Sequence, residues 1–349
     1  MVAVFYISGH GFGHASRQIE LIHEILAQRP ATRIVVRSSV PRWFFASLAA
    51  SGVAIQALET DTGVVQANSL SMDEDETARQ AARFFDGFER RTAIEAEMLR
   101  GIGADLVVGD IPPLAFAAAA AAGVPSLAIG NFTWDWIYGG YPAFDRLAPA
   151  VIPAIRRAYA SATRALRLPL HGGFEPMAAV TLDIPFIART STKGRAETRR
   201  LLGLAGNRPI VLPSFGGHGA TLPLETLRQS DRFTILGPFN EPPGGLHYQD
   251  LVAAADIVVS KPGYGIVSEC VANGTALLYT SRGRFIEYDL FVAEMPGLLR
   301  CRHISQDDLL AGRWADAIDA LLAQPAPPHR PALDGAAVAA RAVLALASA

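Results

Sequence analysis

The fold is decided by the first seventeen residues, MVAVFYISGHGFGHASR (1–17). Val2–Ile7 is an unbroken apolar run with aromatic and β-branched members, which reads as a buried strand. It opens directly into Ser8-Gly9-His10-Gly11-Phe12-Gly13-His14. Glycine at every second position lets a backbone approach a ligand and take positive φ. Ala15–Arg29 then places Ile19, Ile22, Ile25 and Leu26 on one face at helical spacing. Strand, glycine loop and helix form the opening unit of a parallel α/β sheet.

The same alternation continues outward. Arg33–Arg37, Val53–Ala57, Leu106–Gly109 and Ser126–Ile129 read as strands, the last two bracketing the alanine-rich helix Leu114–Ala121. Ser71 followed by Glu74 reads as a capping box opening a helix that runs to about Arg100. Pro185–Gly194 has no period and reads as a linker. Beyond it come strands Pro209–Pro213, Phe233–Leu236, Ile257–Ser260 and Ala276–Tyr279, with helix Gly265–Asn273 among them. Gly335–Ser348 is a final apolar helix after a proline-rich stretch, Pro325–Pro331. The expected architecture is α/β: two doubly wound parallel-sheet domains facing each other, over 1–190 and 195–325. Ligands of such sheets bind beyond the carboxyl ends of the strands.

Composition agrees and excludes several classes. Of 349 residues, 50% are hydrophobic and 18% charged, enough to bury large cores and too apolar for disorder. With 31 basic against 33 acidic residues, no basic excess exists to hold a nucleic acid or an anionic membrane. Two cysteines, Cys270 and Cys301, form neither a disulfide framework nor a zinc motif. The most apolar stretch, 106–129, is interrupted by Asp110, Pro112, Pro113, Gly123 and Pro125, so no transmembrane segment is expected. The first residues lack the basic region of a signal peptide, and the expected location is the cytoplasm.

The glycine loops carry the chemistry. The first is not a dinucleotide fingerprint, because His14 stands where GxGxxG needs its last glycine, and no GxxxxGK[ST] loop occurs. His10 and His14 lack the HExxH context of a metal site, so none is expected there. The remaining role is acid–base: His14 takes a proton from an attacking hydroxyl, or it caps the following helix; for His10 the capping role weighs more. Ser214-Phe215-Gly216-Gly217-His218-Gly219 and Lys261-Pro262-Gly263-Tyr264-Gly265 also lie between strand and helix. Exposed N–H groups at a helix start attract anions, and two such loops suit a diphosphate. Glu269, one turn in, accepts both hydroxyls of a ribose or is a solvated helix residue. Lys261 and Arg284 add positive charge or are ordinary surface residues. Trp134 and Trp136 stack an acceptor or belong to core and interface. Asp110 orients an acceptor hydroxyl or caps the next turn.

The pairing of GHGFGHASR (9–17) with SKPGYGIVSEC (260–270) resembles the GT-B nucleotide-sugar glycosyltransferases. It is also similar to the glycosyltransferase-like N-terminal domain of plant L-arabinokinase and its stand-alone bacterial counterparts. VVQANSL (64–70), VVGDIPP (107–113), NFTWDWIY (131–138), SFGGHG (214–219) and RGRFIEYDLF (282–291) extend the match over nearly the whole chain. No PxxxGLSSS loop occurs, so the resemblance does not extend to sugar phosphorylation. Where many such transferases hold the donor sugar with an acidic–Gln pair, this chain reads Glu287-Tyr288-Asp289.

The resemblance implies a GT-B fold, with an N-terminal domain for a hydroxyl acceptor and a C-terminal domain for a nucleoside-diphosphate sugar, a UDP-sugar. It also implies that the last helix, 334–349, crosses back to the N-terminal domain. His14 and Asp110 would be catalytic. His10, Gly11, Phe12, Gly13, Trp134 and Trp136 would line the acceptor. Gly216, Gly217, His218, Lys261, Gly263, Tyr264, Gly265, Ser268, Glu269, Arg284 and Glu287 would hold the donor. Transfer would invert the anomeric centre and use no metal or other cofactor. A nucleotide-sugar epimerase of the same fold and a non-catalytic nucleotide-sugar sensor are the alternatives.

Overall fold

The computed structural model of the chain describes residues 1–348 other than 69–70, 205, 216–220, 238, 240–241 and 282. The chain divides into two compact units. The first comprises Met1–Val65, Met72–Ile187 and Ala332–Ala349, and the second Gln66–Ser71 and Ala188–Pro331.

In the first unit the strands are β1 (Val2–Ile7), β2 (Arg33–Ser38) and β3 (Ala54–Ala57). Next come β4 (Gln66–Asn68) and β5 (Ser71–Met72), a separate two-stranded sheet that lies largely within the second unit. Then follow β6 (Leu106–Asp110), β7 (Ser126–Phe132), β8 (Arg164–Gly172) and β9 (Thr181–Asp183). Seven of them pair in the order β3-β2-β1-β6-β7-β8-β9, all in parallel. Helices cover both faces of such a sheet, so its central strands are apolar throughout. Ala3 to Ile7, Leu106 to Val108 and Leu127 to Ile129 are all fully buried.

The second unit carries β10 (Ile210–Ser214), β11 (Thr234–Ile235), β12 (Ile257–Ser260), β13 (Ala276–Tyr279) and β14 (Cys301–His303). They pair in parallel in the order β11-β10-β12-β13-β14. Its core packs Val211, Ile257, Val259 and Leu278 against Trp314, Ile318 and Leu321.

The helix Gly335–Leu346 packs on the helix Phe12–Gln28 inside the first unit. It is fixed by Gly335 N donating to Phe186 O at 3.1 Å and Phe186 N donating to Ala332 O at 3.2 Å. The stretch read as a linker is less loose than its composition suggests. From Ala188 onward it belongs to the second unit, where Ser191 N donates to Asn273 Oδ1 at 2.9 Å.

Two local readings change. The helix after residue 73 is capped by Asp73, whose Oδ1 accepts from Glu76 N at 2.9 Å, while Ser71 lies in β5. The long helix is also two, Glu74–Asp86 and Phe88–Gly101, divided at Gly87. Among the described residues no helix is long and apolar enough to cross a membrane.

Candidate functional site

Each sheet has one place where the chain's direction of travel across it reverses, and open α/β sheets bind ligands beyond the strand ends there. In the first unit this is between β1 and β6. β1 ends in the glycine loop and β6 ends at Asp110. The following helix begins earlier than its periodicity predicts, at Phe12, because Gly11 at φ 87° supplies the left-handed turn into it. His14 therefore sits inside the first turn. Arg17 and Gln18, three and four residues on, share its face.

All three converge on the buried Asp110. His14 Nδ1 lies 2.8 Å from Oδ1. Arg17 grips both oxygens, Nη2 to Oδ1 at 2.5 Å and Nε to Oδ2 at 2.6 Å. Gln18 Nε2 donates to Oδ2 at 2.7 Å. Burial pushes the Asp110 carboxyl up, but the charge and hydrogen bonds of Arg17, helped by His14, outweigh it and hold the group at about 2. Asp110 is thus a fixed anion.

That anion selects the histidine tautomer. A bare Nδ1 lone pair 2.8 Å from a carboxylate oxygen is repelled, so Nδ1 carries the proton and donates to Asp110. The 3.0 Å approach of Arg17 Nη2 to the same nitrogen is then a contact between two donors sharing one acceptor, not a hydrogen bond. The lone pair is left on Nε2. Arg17 Nη1 in turn donates to Asn131 Oδ1 at 2.8 Å, which ties the cluster to β7.

The loop after β3 forms a second wall. Thr60 Oγ1 donates to Ile7 O at 3.1 Å, and Val64 N donates to His10 Nδ1 at 3.2 Å. Asp61 accepts from Ser8 Oγ at 3.0 Å and from Trp134 Nε1 at 2.9 Å. Burial lifts the Asp61 carboxyl to about 6, against the pull of Ser8, His14 and Trp134.

Several expected acceptor residues have packing or hydrogen-bond partners of their own. Trp134 is 1% exposed, stacked on Tyr138 with ring centres 5.3 Å apart, and spends its N–H on Asp61. Trp136 lies so close over β8 that a Cβ on Gly172 would fall 2.3 Å from its ring. Trp134 presents no open face of the kind stacking requires, whereas Trp136 is half-buried. His10 has its Nδ1 turned to the backbone of Val64. Phe12 stacks on Phe44 at 4.7 Å and meets Trp43 edge-on at 5.7 Å. Gly13 lies in the helix's first turn.

In the second unit the reversal lies between β10 and β12. The loop after β10 carries Gly216, Gly217 and His218, which lie outside the described residues. β12 runs through Lys261 to Gly263, the N-cap of the helix Tyr264–Asn273, whose start has no side-chain cap. Lys261 Nζ donates to Gln66 Oε1 at 2.9 Å. Ser268 is buried and its hydroxyl returns to Gly265 O at 3.0 Å. Glu269 is buried rather than solvated. Its Oε1 accepts from Arg189 Nε at 2.6 Å and lies 2.5 Å from Nη2. Burial raises its carboxyl while Arg189 opposes the rise. Arg189 also lies over the Tyr248 ring at 5.5 Å, and the Tyr248 hydroxyl pairs with Ser214. Glu287 is buried at the start of its helix and Arg284 is exposed.

The structure thus joins His14 to Asp110 and places Gly263, Tyr264, Gly265, Ser268 and Glu269 on one helix start. Sequence reading missed Arg17, Gln18, Asn131, Asp61 and Arg189. The first two were findable from their spacing to His14. Among the described residues no group of three His, Cys, Asp or Glu could hold a metal ion.

No protein-family model matches the chain. Against L-arabinokinase of Arabidopsis thaliana it is 30% identical over 344 residues, 91% of this chain and 32% of that protein. It therefore spans about a third of that relative's length. Among solved structures it is similar to the glycosyltransferase of kitacinnamycin, with 18% identity, 99% and 97% of the two chains covered and a TM-score of 0.62. It is also similar to UGT2 of Phytolacca americana complexed with UDP-2-fluoro-glucose and pterostilbene, with 14% identity, 99% and 94% covered and a TM-score of 0.57. The chain has the fold of the GT-B glycosyltransferases.

Proposed function

We propose that the chain is a glycosyltransferase that moves a sugar from a nucleoside diphosphate, UDP, to an acceptor hydroxyl, inverting the anomeric centre and using no metal. The observation that carries this reading is the His14–Asp110 pair at the reversal point of the first sheet. A carboxylate held ionised fixes Nδ1–H and leaves Nε2 as a base, the state a proton-accepting group needs.

In this reading Nε2 of His14 takes the acceptor proton as the oxygen attacks the anomeric carbon. The bond from that carbon to the diphosphate oxygen breaks, and its electron pair leaves with the diphosphate. One displacement from the opposite face gives inversion. Departing charge falls to the start of the helix Tyr264–Asn273 and to Lys261, donors oriented before the reaction begins. The second oxygen of Glu269 accepts from the ribose.

Metal independence is supported by how the one acidic run is used. Asp73 caps a helix, Asp75 pairs with Arg146 at 2.7 Å, and Glu76 pairs with Arg83 at 2.8 Å.

Proton NMR of the glycoside formed from UDP-sugars and a pooled set of hydroxyl acceptors tests the proposal. An anomeric configuration opposite to the donor's supports it. Retention overturns the single displacement, and absence of any glycoside overturns transfer.

A further inference from the structure

The charges around His14 do not balance when it takes up a proton. Asp110 is already matched by the fork of Arg17, so a proton arriving on the imidazole would leave those three groups with one net positive charge in a buried place. Taking an unmatched charge out of water is costly, so a site that must protonate needs a counter-charge nearby.

Asp61 is a carboxylate with the opposite deficit. It is 8% exposed, and both its oxygens accept from neutral donors, the Ser8 hydroxyl and the Trp134 indole. No cation hydrogen-bonds to it among the described residues. It is also built into the same cluster. Ser8 donates its N–H to Asp110 O at 2.8 Å and its hydroxyl to Asp61, and Phe132 meets both His14 and Trp134 edge-on, at 5.5 and 5.0 Å.

We propose that Asp61 is a positioning carboxylate for His14, the counter-charge that makes the cluster neutral once the imidazole is protonated. Four groups then sum to zero: Asp61, Asp110, Arg17 and protonated His14. The inference rests on the reading of His14 as a base.

The groups facing Asp61 are His14 from the first helix, Asp110 from β6, and Tyr138 and Tyr159 from the helices after β7. The two tyrosines are held neutral by burial, and Asp110 opposes the ionisation of Asp61, so among these His14 alone favours its charge. Coupling between two ionisations is reciprocal: if protonated His14 stabilises ionised Asp61, Asp61 stabilises protonated His14 by the same amount.

Reciprocity makes the proposal testable without substrate. The side-chain carboxyl carbon of Asp61 is followed by carbon-13 NMR across pH 4–8 in the full chain. The wild-type inflection is expected at about 6. In His14→Gln it should move upward, because the group whose charge favours ionised Asp61 is gone. An Asp61 inflection that His14→Gln leaves in place overturns the coupling, as does one in the ordinary carboxylate range.

Ser8→Ala guards against misfolding of that variant. It leaves both charged groups in place, removes one donor to Asp61, and should raise the same inflection; no movement contradicts the arrangement. The pH profile of Asp61→Asn then separates this inference from the proposed function. Loss of coupling with transfer intact sinks only Asp61, whereas coupling without any transfer sinks the catalytic reading and leaves the electrostatics standing.

Discussion

Asp110 in the first unit and Glu269 in the second are both buried carboxylates gripped by an arginine, yet they are held differently. Asp110 is met on both oxygens by Arg17, by Gln18 and by His14, and is held at about 2. Among the described residues the contacts to the Glu269 carboxylate come from Arg189 and fall on Oε1, and burial keeps its carboxyl raised. A carboxylate engaged on every side cannot exchange partners and works by holding a charge and a tautomer in place. One engaged on a single oxygen keeps the other for a ligand. The first arrangement suits chemistry and the second suits binding.

The largest effect that would break this contrast is at Asp110. Asp110→Asn leaves Arg17 buried without its anion and should cost about 3–5 kcal/mol of stability, read by denaturant unfolding. An unfolding midpoint close to wild type would mean that the cluster is not electrostatically tight.

Asp61 sharpens the contrast through pH. The Asp110 value in the folded chain, about 2, lies below the ordinary carboxylate value of about 3.9, so its contribution is present above pH 4 and is lost as pH falls through 2. The Asp61 value, about 6, lies above the ordinary one, so its ionisation is a penalty absent below pH 4 and complete above pH 6. Asp61→Asn should therefore be near neutral at pH 4 and stabilise the protein by about 2–3 kcal/mol at pH 8. A variant equally stable at both pH values, relative to wild type, would show that the carboxyl is not raised. A gain in stability with a loss of activity is the mark of a buried charge retained for function.

At Glu269 the effect should appear in binding. Glu269→Ala should weaken nucleoside diphosphate binding by about ten- to a hundredfold, as for a charged hydrogen bond of about 1.5–3 kcal/mol. The 2′-deoxy nucleotide should lose most of that affinity on the wild type and little more on the variant. Equal calorimetric affinities of ribo and deoxy nucleotides for the wild type would leave Glu269 as the partner of Arg189 only. Excess EDTA should have no effect on turnover; loss restored by manganese or magnesium would reverse the assignment of the acidic run at 73–76.

The fold was legible because its signals are local. Val2–Ile7 and the loop behind it announce a strand and a turn from seventeen residues, and the β-α rhythm repeats them. His14 and Asp110 were legible as strand-end residues. Their partners were less so, because a pairing across 93 residues, such as Arg17 with Asp110, leaves no local mark. Asp61 is the clearest case: its meaning comes from Ser8, 53 residues earlier, and Trp134, 73 residues later. Trp134 shows the converse: of its two readings, acceptor platform or core, the structure places it in the core. Large aromatics in a short run suggest a binding platform, and the burial of Trp134 against Tyr138 is visible only in three dimensions.

The central claim is that a proton passes from the acceptor to His14 as the donor's diphosphate leaves. It is tested most directly by the rate of nucleoside diphosphate release from a saturating donor, with and without acceptor, in wild type and in His14→Ala. The account predicts release that requires acceptor and falls by about 10²–10⁴-fold in the variant, with calorimetric donor affinity nearly unchanged. Donor interconversion without acceptor, binding without turnover, or an undiminished rate in His14→Ala would contradict it.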